Sequence, residues 1–161
     1  MTHPLVEEAA RKAAIAWFSV DGGPARALWC LTIDGDICLV LGPGEQELPG
    51  LARASSVAVT LRGDHGGNIA TFPVTVTRIR PESERWEAVT TQLVGKRLNS
   101  TGPTEQVVQR WAREASVWAL TPAGDPAPPD SSGEFAPPRP TTAGTATRKP
   151  FKLHRVRRKR T

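Results

Sequence analysis

Apolar and polar positions along the first 121 residues fall into short runs that predict six strands and three helices. Pro4 to Ala14 carries Leu5, Val6, Ala9, Ala10 and Ala13 at helical spacing. Glu7 and Glu8 lie early in it and Arg11 and Lys12 late, which suits a helix dipole. Ile15–Val20 then reads as an apolar strand, closed by Asp21-Gly22-Gly23-Pro24. Ala25–Ile33 is a second strand and Ile37–Leu41 a third, turned by Asp34-Gly35. Their near-continuous apolar character predicts burial on both faces. Val57–Arg62 alternates cleanly, with Val57, Val59 and Leu61 opposed to Ala58, Thr60 and Arg62. Ile69–Arg80 is a long fifth strand in which Pro73 marks an edge or a bulge, because proline cannot donate to a ladder.

Pro81–Asn99 is helical by its stripe of Trp86, Val89, Leu93 and Val94, and Thr104–Ala115 forms another helix before a sixth strand at Ser116–Leu120. Hairpin-connected strands with the helices mostly late predict an α+β chain built on a small antiparallel β-barrel, rather than a parallel sheet. A barrel of this size fills its interior with side chains, so a ligand belongs on its outer wall or between subunits.

Residues 122–161 break the pattern. They hold 8 of the 15 prolines and only Phe135, Phe151, Leu153 and Val156 among larger apolar side chains. Such a stretch buries too little apolar surface to offset an ordering cost on the order of 1–2 kcal/mol per residue. The expectation is one domain over 1–121 followed by a disordered tail over 122–161. Charge divides at the same place. The body carries 12 basic and 13 acidic residues, while the tail carries 9 and 3, so the net +5 comes from the tail. The basic balance therefore says nothing about a basic groove on the folded body. Arg148–Thr161 holds eight basic side chains and no acid. That run suits non-specific nucleic-acid contact, an anionic membrane surface, or simple solubilisation.

Two cysteines occur, and an Asp34-Gly35 hairpin would set Leu31 opposite Cys38 and Cys30 opposite Leu39. The thiols then point to opposite faces and no disulfide forms. With no signal peptide and no long apolar run, a cytoplasmic protein without a membrane span is expected. No His/Cys cluster has metal-site spacing, and no nucleophile elbow, Walker loop or dinucleotide fingerprint is present.

Several features carry a family resemblance. Ala16-Trp17 lies on strand one, Gly23-Pro24 enters strand two with Trp29 inside it, and Asp34-Gly35 turns into strand three. A Gly42-Pro43-Gly44 loop then leads through Leu51 to Val57–Leu61. In this order the chain resembles the FMN-binding split barrels, also called pyridoxamine 5′-phosphate oxidase-like, over roughly residues 10–121. Gly42–Pro49 and Lys96-Arg97-Leu98-Asn99 resemble an uncharacterised actinobacterial branch.

The resemblance implies a small six-stranded split barrel forming a homodimer, with FMN or the deazaflavin F420 in the cleft between subunits. It implies a flavin-dependent oxidoreductase of a small substrate. On this basis the candidate cofactor-binding residues are Arg26, Trp29, Gly42, Pro43, Gly44, Gln46, Thr60 and Arg62. Trp29 would stack on the ring or serve as a barrel aromatic. Arg26 would pair with a phosphate or sit solvated at a strand end. Thr60 and Arg62 share a face suited to a cofactor wall or to solvent. Where family members place an Arg or Lys with Ser or Thr against the phosphate, this chain has Gly44, Glu45, Gln46 and Glu47. Two carboxylates there would oppose a phosphate. That departure motivates the alternative of a cofactor-free binding or regulatory module. Loop residue His65 is a candidate proton donor, and Lys96-Arg97 a helix cap or an anion contact.

Overall fold

The computed structural model describes residues 3–63, 68–97 and 102–127. Helix α1 (Pro4–Lys12) leads into strand β1 (Ile15–Val20), followed by β2 (Arg26–Trp29), β3 (Leu31–Ile33) and β4 (Asp36–Leu41). A single 3-10 turn (Leu51–Arg53) precedes β5 (Val57–Arg62) and β6 (Asn68–Ile79). Helices α2 (Arg85–Lys96) and α3 (Thr104–Glu114) come before β7 (Ser116–Pro122). All strand pairs are antiparallel, in the order β2-β1-β5-β6-β7-β4-β3. Because β2 and β3 are consecutive in the chain, the two ends of that order meet and the sheet is nearly closed.

Seven strands are present where six are expected, because the run Ala25–Ile33 divides at Cys30. Its first part pairs with β1, Trp29 lying opposite Ile15, and its second with β4, Leu31 lying opposite Cys38. The strand changes partner there, and the Cys30 amide donates to the Ala14 carbonyl at 3.0 Å. β6 also changes partner part-way. Pro73 is its last residue paired to β5 and Val74 the first paired to β7, so the proline sits at the changeover.

The pleat sorts two cores. Phe18, Leu28, Leu39, Val59, Phe72 and Leu120 fill the barrel, and α1 covers one end with Val6 and Ala10. Cys38, Val40, Val117 and Ala119 face the other way and pack beneath Trp86, Leu93, Val107 and Trp111 of α2 and α3. β4 is consequently buried at every position, as its apolar run predicts. Cys30 belongs to the barrel core and Cys38 to the outer one, both as free thiols. Asp34 and Gly35 both take positive φ, 52° and 87°, the geometry of a tight two-residue hairpin. The expected cysteine placement follows from that turn. Among the described residues, no helix is long and apolar enough to cross a membrane.

Candidate functional site

The loop after β4 is folded back on itself. The Gly42 amide donates to the Gln46 carbonyl at 3.0 Å, and the Glu45 amide donates to the Gly42 carbonyl at 2.9 Å. Gly42 has φ 139°, and a Cβ there would lie 3.0 Å from both the Ala115 Cα and the Glu114 carbonyl. Only glycine fits this backbone pressed against the α3–β7 junction.

Glu45 is the centre of this loop, and it is 5% exposed. Its carboxylate accepts from the Arg97 guanidinium at the C-terminal cap of α2. It also accepts from Arg110 Nη2 at 2.9 Å and from the Trp111 indole Nε1 at 2.9 Å, both on α3. A carboxylate removed from water requires such charge-assisted partners. The arrangement fastens the loop to both helices.

Gln46 works on the other side. Its Oε1 accepts from the Trp29 amide at 2.5 Å, and its Nε2 donates to the Trp29 carbonyl at 2.8 Å. The side-chain amide thereby takes the place of a neighbouring strand at the point where β2 gives way to β3. Trp29 itself packs against the cluster beneath α2 and α3.

Beside this loop, at the end of the barrel where Gly50 lies against Val20, is an open groove of about 360 Å³. Gly42, Gln46, Leu48, Leu51, Arg53 and Trp118 are among its lining residues. The Trp118 indole donates to Ser116 Oγ at 2.9 Å, and Ser116 Oγ donates to the Leu41 carbonyl at 3.3 Å, which fixes that wall. The Arg78 guanidinium lies 6.0 Å from the Trp118 ring centre.

Thr60 and Arg62 lie on a different surface, the outer wall of β1, β2, β5 and β6. Arg62 stacks over Trp17 at 4.7 Å, and Thr60 Oγ1 hydrogen-bonds Thr71 Oγ1 at 2.8 Å. Arg26 lies opposite Phe18, whereas Ala27 and Trp17 are opposed on the next pair. Side chains alternate across a strand, so Arg26 takes the phase of the barrel core and not that of the outer wall.

The sequence matches no family model and no curated protein. Solved structures do match. The heme storage protein HutZ of Vibrio cholerae aligns with a TM-score of 0.55 at 13% identity, covering 79% of this chain and 94% of that one. The conserved hypothetical protein Rv2991 of Mycobacterium tuberculosis aligns with a TM-score of 0.56 at 17% identity, covering 76% and 81%. The chain has the split-barrel fold. At these identities the likeness concerns architecture, and there it agrees with the resemblance drawn from Ala14 to Arg62.

Within the split barrel the expected site residues divide into three places. Gly42, Pro43, Gly44 and Gln46 form one loop, which Gln46 ties to Trp29; Thr60 and Arg62 occupy the outer wall; Arg26 stands apart from both. The resemblance sets Glu45 and Glu47 at positions where two carboxylates would oppose a flavin phosphate. The structure corrects this for Glu45, which turns into the protein because two guanidinium groups and an indole N–H neutralise and satisfy it there. Glu47 stays exposed at the groove.

His65 lies outside the described residues, as does the basic run 148–161. Among the described residues no group of three or more His, Cys, Asp or Glu converges as a metal site would require. Sequence reasoning passed over Leu48, Leu51 and Trp118 as groove walls. The signal was present in Leu48-Pro49-Gly50-Leu51, two leucines in a loop, which bury themselves against the barrel core and edge the groove from there. Burial pushes the Cys30 and Cys38 thiols up to about 12, and for Cys38 the nearby Asp36 carboxylate adds to it. Neither thiol is therefore a nucleophile in the folded protein.

Proposed function

We propose that this split barrel holds a flavin nucleotide, FMN or the deazaflavin F420, in the groove beside Gly42–Glu47, and acts as an oxidoreductase on a small substrate. The observation that carries the reading is the groove. Its volume of about 360 Å³ falls within the roughly 300–1,000 Å³ of small-molecule sites, which combine apolar walls with a few polar groups.

The lining fits such a group. The half-buried Trp118, backed by Leu48 and Leu51 of the core, offers apolar surface to a flat heterocycle, and Arg53 offers a cation to a phosphate. Glu45 presents no charge against that phosphate, since Arg97 and Arg110 neutralise it. When bound, a flavin supplies the electron-transfer chemistry, and the protein supplies binding and orientation. HutZ, a heme storage protein, supports a fold suited to planar heterocycles. Heme iron takes His, Cys, Met or Tyr ligands, however, and none of these is among the described residues that line the groove, which favours a flavin. The reading includes a homodimer whose second copy completes the cleft, checked by the sedimentation mass of the purified protein.

The test is the absorbance spectrum of the purified protein, mass spectrometry of what it releases on denaturation, and melting with FMN, riboflavin or F420. Ligand at a hundredfold excess over its Kd stabilises by about 2.7 kcal/mol. Arg53→Ala is expected to diminish the shift with FMN and leave that with riboflavin unchanged. A colourless protein whose melting is unmoved by all three overturns the proposal and leaves the cofactor-free binding module.

A further inference from the structure

Five side chains with polar atoms line the groove beside Gly42–Glu47: Gln46, Glu47, Arg53, Ser116 and Trp118. Three of them are bonded to the fold itself. Gln46 gives both ends of its amide to Trp29, accepting from its N–H at 2.5 Å and donating to its carbonyl at 2.8 Å. The Trp118 indole N–H donates to Ser116 Oγ at 2.9 Å, and the Ser116 hydroxyl is directed to the Leu41 carbonyl at 3.3 Å. Glu47, the one acid of the lining, also has a partner within the chain. Arg53 differs. It is exposed, and among the described residues it forms no ion pair.

The backbone of the lining is largely committed in the same way. The Gly42 amide and carbonyl close the loop on Gln46 and Glu45. The Leu48 and Gly50 carbonyls accept from the Leu51 and Arg53 amides at 3.4 and 3.0 Å, and Pro49 has no N–H. A group so placed cannot turn towards a ligand without surrendering the bond it already makes. What the groove presents to a flat ring is therefore the apolar surface of Trp118 and its surrounding loop, which attracts any ring of matching shape. Selection by hydrogen bonds behaves otherwise: a site built around one rejects an analogue that lacks it by about 10⁴-fold or more.

We propose that the groove is blind to the ring nitrogens of its heterocycle and chooses its ligand by the anionic tail, through Arg53. The inference rests on the reading of the groove as a flavin site and names what that site distinguishes. It takes flavins and deazaflavins alike, and it prefers those whose side chain ends in a phosphate. The N1 and N5 acceptors of an isoalloxazine find no donor aimed at them, so their removal leaves the affinity unchanged. A phosphate meets the one cation of the lining that the fold leaves uncommitted.

The test uses the unaltered full-length protein, so no variant has to fold. Calorimetric titration gives dissociation constants for FMN, riboflavin, 5-deaza-FMN and 1-deaza-FMN, the last two having a C–H in place of N5 or N1. FMN and the two deaza analogues are expected to bind within about threefold of one another. Riboflavin, which lacks the phosphate, is expected to bind about tenfold more weakly or worse. A wider spread between FMN and either analogue overturns the inference and leaves the flavin site standing. So does riboflavin binding as tightly as FMN. If none of the four binds, the reading of the groove falls and the inference falls with it.

Discussion

Replacing Glu45 by alanine should destabilise the fold by about 3 kcal/mol. Removing one partner of a buried ion pair costs about 3–5 kcal/mol, because the remaining charge is left desolvated. Here two guanidinium groups and the Trp111 indole N–H lose their acceptor together. The lower end of that range applies because the Arg110 side chain is 40% exposed and can recruit water. Glu45→Gln keeps an oxygen for Trp111 but sets an amide N–H₂ against a guanidinium, so it should lose most of the same stability. Urea unfolding measures this, with the midpoint lowered and the slope unchanged. A domain of this size should melt lower by about 10–15 °C. Glu82→Ala, on an exposed carboxylate away from the loop, serves as the control and should change stability by about 0.5 kcal/mol or less. If Glu45→Ala unfolds within about 0.5 kcal/mol of the parent, the loop is not fastened through this carboxylate and the reasoning fails.

Gly42→Ala should cost about 1–3 kcal/mol, since φ is positive and the new methyl meets backbone at 3.0 Å; an unchanged denaturation midpoint would contradict the close approach. Alkaline pH should destabilise the protein. Free thiols ionise near 9 and the folded ones only near about 12, so between those values the unfolded chain binds fewer protons and stability falls as pH rises. Replacing both cysteines by alanine should flatten that decline, as followed by denaturation midpoints from pH 8 to 11.

The strands were legible because burial follows a period of two. Val57–Arg62 alternates in sequence, and its burial alternates likewise. The opposed thiols followed from one tight turn at Asp34-Gly35. The division at Cys30 was not legible, because Leu28, Trp29, Cys30 and Leu31 read as an unbroken apolar run. What interrupts that run is a side chain 17 residues away. The burial of Glu45 was not legible for the same reason: its arginine partners lie 52 and 65 residues further on. Local pattern reports the period of an element, and it is silent on which distant cation will neutralise a buried carboxylate. Leu48 and Leu51 show the intermediate case, where two loop leucines signal that the loop packs on the core without saying that a groove lies beside them.

Gln46 is a lining residue of the groove and also the brace across the one joint in an otherwise continuous ring of strands. Whatever enters that hollow therefore presses on the fastening that keeps the ring shut. A guest that leaves this amide in place keeps the joint braced, and one that displaces it removes both hydrogen bonds to Trp29.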